Sequence, residues 1–360
     1  LLSPFIFLPL SLPWRLGLLL LLFLFVILSS LNVGVAEFYS RSIYPSLSYV
    51  LSALSSVVPF SLDEIGVLLM ILSVVVFPFV WRIRRKLKWK TVLLREAEIL
   101  LWIYVWFYIG WGINYYRESF FTRASVSPAK YDEHRFKDFL YSYTDSLNRY
   151  CCNIDTVSVE HVHEEIKLSY KKVSDIYGLT TPRSFQHPKT LLFNSIYSGS
   201  GVLGFMGPFF AESHINMQIT PLEYPFTYAH ELSHLLGISS EAEANLWAYQ
   251  TCLLSSDAEI KYSGYFGLFP YVLMNARGLL NEEDYKNWIS GVRPEVIKQY
   301  KEKREHWSSL YSPLLGEIQS AMYEFYLKGN RISSGQKNYA EVIGLLLSLP
   351  DEGIKMLAEN

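Results

Sequence analysis

From Leu16 to Ala36 the chain is an almost unbroken run of Leu, Phe, Val and Ile. About 20 such residues are what a helix needs to cross a hydrocarbon core roughly 30 Å thick. The run reads as a transmembrane helix or a long signal sequence. A second apolar run covers Ile65 to Trp81 and a third Ala97 to Ile113, with Trp102, Trp106 and Trp111 as candidate interface anchors. Half of the chain is apolar and 16% aromatic, in keeping with a membrane protein. The expectation is therefore a membrane region over 1–113 with three helices near 16–36, 65–81 and 97–113.

Orientation follows from the segment between the second and third runs, where Arg82, Arg84, Arg85, Lys86, Lys88 and Lys90 cluster. Basic residues next to spans stay cytoplasmic, so the third helix exits outward and carries residues 114–360 to the periplasmic or extracellular side. Signal-peptidase cleavage after Ala36 would leave that unchanged, because the second helix would still enter from outside. The expected location is the cytoplasmic membrane, crossed several times, with the bilayer itself as a partner. The segment Tyr39 to Phe60 fits an outer loop or an interfacial helix.

From about residue 115 the composition becomes that of a soluble domain. Phe136, Phe139, Leu140, Tyr143 and Leu147 recur at helical spacing within Tyr131 to Tyr150. Thr190 to Tyr197 and His214 to Thr220 read as short strands on either side of the glycine-rich Gly199 to Gly207. Pro294 to Lys328 reads as a long periodic helix, and Tyr339 to Leu349 as a closing helix after a turn over Asn330 to Gly335. The fold class expected is mainly α with a small β-sheet.

A net charge of −2 gives no reason to expect nucleic acid as a partner. Gly199, Gly201 and Gly204 spell GxGxxG, but Gly207 and Pro208 follow where a dinucleotide fold opens a helix, so no nucleotide site is expected. Cys151, Cys152 and Cys252 make neither a disulfide framework nor a zinc knuckle. His161, His163 and Glu164 are left without a role.

The chemistry concentrates in the run HELSH. Positions i and i+4 share one helix face, so His230 and His234 can direct two imidazoles at one cation, with Glu231 beside it. A catalytic zinc site takes a third protein ligand and keeps a position open. Gly237 can end the first helix, and SSEAEAN opens a second that offers Glu241 and Glu243. Glu241 is preferred because Asn245, one turn later, can hydrogen-bond a ligating imidazole; Glu243 is the alternative ligand. The strand from His214 has the position of an edge strand over the cleft of an HExxH peptidase, where His214 and Asn216 would face substrate. Tyr262, and beside it Tyr265, are candidate oxyanion donors.

HELSH followed by EAEAN resembles the gluzincin arrangement, in which the third ligand comes from an ExxxD or ExxxN helix. Glu241 and Asn245 match it, although the gap after His234 is shorter than in most gluzincins. The glycine of HLLG is similar to the metzincins, but Ser240 stands where their third ligand, a histidine, would be. A closer resemblance covers nearly the whole chain. It is to a bacterial family of membrane-anchored HExxH proteins, domain of unknown function 3810, and rests on GFMGPFFAESHINMQ, HELSHLLGISSEAEAN, KYSGY, and YLKGN with Tyr339.

These resemblances imply a zincin-like α+β domain. The expected activity is that of a Zn2+ metallopeptidase acting on a peptide or protein substrate in the envelope, with zinc-activated water and Glu231 as general base. Two other readings stay open: a non-catalytic zinc-containing membrane sensor or assembly factor, and a zinc amidase acting on cell-wall peptides.

Overall fold

The computed structural model describes residues 11–177, 179–330 and 341–350, and these form two units. The first takes in the chain up to Glu118 together with Gly207–Glu212. Its helices are α1 (Leu12–Leu31), α2 (Val33–Phe38), α3 (Tyr44–Ser55), α4 (Leu62–Ile83) and α5 (Trp89–Gly110). A π-helical turn over Tyr39–Ile43 links α2 to α3, so the segment after Tyr39 is helical. The first run ends earlier than its composition suggests. Asn32 caps a fresh helix by accepting from the Val35 amide, which stops α1 at Leu31.

Among the described residues two helices, α1 and α4, are long and apolar enough to cross a membrane, not three. The third run does form a helix, but α5 carries Arg95, Glu96 and Glu98 among its apolar residues, and charges at that density are costly in hydrocarbon. Only 6% of the α4 span and 17% of the α1 span is buried within the protein. Side chains such as Leu21, Leu24, Ile71 and Phe79 therefore need an apolar surrounding that the chain does not supply, which points to a membrane association.

Polar contacts bind this unit internally. Arg15 pairs with Glu98 at 2.6 Å, and Glu37 holds Arg41, Arg117 and the Glu118 amide. Asp63 is buried and accepts from the amides of Phe209 and Phe210 at 2.9 and 3.2 Å, while Glu212 accepts from the Asp63 amide at 2.9 Å. Those bonds draw Gly207–Glu212 into the first unit, although 146 or more residues separate the partners in sequence.

The second unit comprises Ser119–Met206 and the residues from Ser213 onward. Its elements are α6 (Phe120–Arg123), α7 (Glu133–Tyr150), α8 (Val159–Tyr177), β1 (Lys189–Thr190), α9 (Asn194–Ser200), β2 (Gly204–Gly207), β3 (Glu212–Ile215), α10 (Tyr224–Leu235), α11 (Glu241–Leu253), α12 (Ala258–Leu279), α13 (Glu282–Ser290), α14 (Pro294–Leu310), α15 (Pro313–Gly329) and α16 (Val342–Ser348). The described residues are mainly helical with a small three-stranded sheet. The second unit's buried centre is α10 and α11, every described residue of which faces protein on some side, with α12 packed against both.

Three expectations change here. The strand expected over Thr190 to Tyr197 is only β1, after which the chain turns into α9. The glycine-rich stretch is not merely a linker but supplies β2, so the sheet order is β1-β3-β2 and β3 is the central strand, not an edge. β1 runs parallel to β3 with Lys189 opposite His214 and Thr190 opposite Ile215. Pro294 to Lys328 is two helices, because Pro313 lacks the amide that would continue the first. Tyr339 and the turn residues after Asn330 lie outside the described residues.

Candidate metal centre

α10 ends in a Schellman motif. Gly237, at φ +94°, donates to the His234 carbonyl at 3.0 Å, and the Ile238 amide donates to the Ser233 carbonyl at 3.1 Å. That left-handed turn brings the Ile238 carbonyl back to His234, whose Nδ1 it meets at 2.7 Å. Ser240 then caps α11 by accepting from the Glu243 amide. Glu241 thus occupies the first turn of α11, where the helix's unpaired amides favour a carboxylate.

The turn folds the three donors onto one point. His230 Nε2 and His234 Nε2 are 3.2 Å apart, and Glu241 Oε2 lies 3.1 Å from the first and 3.4 Å from the second. His230 Nδ1 meets Asn245 Oδ1 at 2.9 Å. Carbonyl and amide oxygens only accept, so in both neutral rings the proton sits on Nδ1 and Nε2 offers a lone pair. With the rings so oriented, three acceptors converge on one point and could hold a cation.

The spacing fits a metal. An ion about 2.0–2.2 Å from each donor at tetrahedral angles sets donor to donor distances of roughly 3.3–3.5 Å. One edge, 3.4 Å, falls in that range, and the other two, 3.1 and 3.2 Å, fall just short of it. Among the described residues this is the group of His, Cys, Asp and Glu side chains that could hold a metal ion.

The buried groups are also coupled electrostatically. Burial alone would lower His234 and raise Glu241, but their mutual attraction outweighs it, so His234 is shifted up and Glu241 is held well below the usual carboxylate range. Glu231 behaves differently. Burial pushes its pKa up to about 7 against the pull of His230 and His234, and its Oε2 has no hydrogen-bond partner. A buried carboxylate oxygen without a partner is costly unless a water or substrate atom comes to it.

Of the other candidates, Glu243 points away from the group. Arg123 Nη2 donates to both its oxygens, at 2.6 and 2.5 Å, and the Trp247 indole donates at 3.0 Å. His214 is fully buried and stacks on Phe205 at 4.4 Å. The Asn216 amide is spent on the Ser198 hydroxyl, the Gln218 amide and the Val202 carbonyl. Tyr262 donates to Gln299, and Tyr265 stacks on Tyr150 and meets Tyr143 and Tyr249 edge-on.

Two features of the site have no signal in the HELSH region. Tyr323, on α15, donates to Glu241 Oε1, the oxygen that faces away from the imidazoles. Gly204, at the start of β2, passes so close to Glu231 that an added Cβ would lie 2.8 Å from its side chain and 2.7 Å from the His214 carbonyl. The edge strand next to Glu231 is therefore β2.

No curated protein and no solved structure is significantly similar to this chain. The family described as protein of unknown function DUF3810 matches residues 39–347, and the chain belongs to that family.

Proposed function

We propose that the chain is a zinc metallopeptidase anchored in the bacterial cytoplasmic membrane, its site on the outward side. The carrying observation is the triangle of His230, His234 and Glu241, whose edges of 3.1 to 3.4 Å suit a tetrahedral ion. Zinc there supplies a Lewis acid that polarises a scissile carbonyl and makes water acidic enough to attack at neutral pH. The protein's own groups do the rest. Asn245 and the Ile238 carbonyl fix the imidazole tautomers, and Tyr323 occupies the second oxygen of Glu241, which keeps that carboxylate to one donor. Glu231 takes the proton of the attacking water and returns it to the leaving amine. Three protein donors suit a catalytic zinc, which keeps a fourth position for water, whereas a structural zinc is closed by four.

Purified full-length protein is expected to carry one zinc per chain and to cleave peptides in a hydroxamate-sensitive way. Comparing envelope proteins in cells with parent or Glu231→Gln chains then reports the substrates. A zinc-loaded protein that cleaves nothing, with identical envelopes in both cells, would overturn the peptidase reading.

Tyr323→Phe removes the hydroxyl from Glu241 and keeps the ring. Zinc affinity should fall by roughly tenfold, as for loss of an outer partner of a ligand, measured by chelator competition. Unchanged affinity would remove Tyr323 from the site.

A further inference from the structure

The helix that brings Tyr323 to Glu241 also has an outer face. On α15, Leu314, Ile318, Met322 and Phe325 recur at i, i+4, i+8 and i+11 and form one stripe. They are 68%, 50%, 68% and 82% exposed. Gly316 and Leu327 face inward instead. Beside the stripe the helix is polar, with Glu317 and an exposed Lys328–Glu324 pair at 2.8 Å.

We propose that this stripe rests on a lipid surface, with α15 lying in the membrane interface. Four side chains so exposed present roughly 500 Å² of apolar surface, the size of the largest patch on a typical soluble monomer, which is often a site of interaction. It is less than the roughly 800 Å² that each partner contributes to a standard protein interface, which disfavours a second copy as the occupant. Connectivity favours lipid. The chain passes from the first unit to the second at Glu118–Ser119 with no linker, and again on each side of Gly207–Glu212. The first unit holds the two helices apolar enough to span a bilayer, so the second unit is tethered to the same membrane at three points. A narrow apolar stripe with a charged flank is the pattern of a helix lying flat in the headgroup boundary. The inference goes beyond the zinc reading and does not require it.

The test is spin-label accessibility on the full chain in proteoliposomes. Cys151 and Cys152, the cysteines that are not fully buried, are first replaced by serine. Met322→Cys and Phe325→Cys then carry the label on the stripe, and Glu317→Cys on the flank. Oxygen should relax the label more than a water-soluble nickel chelate at 322 and 325, with the order reversed at 317. Adding Ile318→Glu should shift 322 and 325 toward the chelate. Dominance of the chelate at 325 would overturn the proposal, because the face would then meet water. Shielding of 322 and 325 from both reagents would overturn it too, since protein would then cover the face. The unaltered chain gives a second reading through a carbene reagent dissolved in the bilayer. Modification of α15 is expected, and labelling of α4 without α15 would defeat the idea.

Discussion

Glu231→Gln is expected to keep its metal and to lose hydrolysis by about 10²–10⁴-fold, the share that a positioned general base contributes. Glutamine has the shape of glutamate, so the close approach of Gly204 and the packing of α10 survive. Only the capacity to take a proton is lost. Glu231 does not belong to the three-donor group, so zinc content should match the parent. The size of the effect follows from burial. The side chain is 5% exposed, its pKa is raised to about 7, and one oxygen has no partner, which is the state of a base that waits for a proton from a bound molecule. Metal content and peptide turnover measured on one preparation decide the matter. Turnover at the parental rate would move the proton acceptor elsewhere.

The candidate centre was largely legible because its parts obey local rules. The i, i+4 spacing of His230 and His234, the stop at Gly237 and the cap at Ser240 lie within eleven consecutive residues, where helix geometry dictates direction. Asn245, one turn after Glu241, decided between Glu241 and Glu243 by the same helix geometry, since from there it can hydrogen-bond a ligating imidazole. What was hidden depends on distant pairing. Tyr323 reaches Glu241 across 82 residues, and Asp63 holds Phe209 across 146, and no periodicity records either contact. β2 escaped because a four-residue strand flanked by glycines is too short to show alternation. The third span failed for a readable reason, the three charges at Arg95, Glu96 and Glu98, which apolarity on either side had masked.

Arg123→Ala should destabilise the second unit by about 3–5 kcal/mol, the cost of leaving a buried charge without its partner. The Arg123 and Glu243 side chains are 2% and 5% exposed, so water cannot replace the guanidinium. The Trp247 indole would still donate to Glu243, but it is a neutral group facing a full negative charge. The strain falls on the first turn of α11, two residues from Glu241, so metal affinity should drop with stability. Replacing both partners by methionine removes the uncompensated charge, and such exchanges of buried pairs are often neutral. The double variant should therefore recover most of the lost thermal stability in detergent, and zinc affinity with it. A cost below about 1 kcal/mol for Arg123→Ala, the range of exposed pairs, would mean that Glu243 finds water after all. Loss of zinc without loss of stability would instead mean that Arg123 acts on Glu241 by charge rather than by fixing the helix.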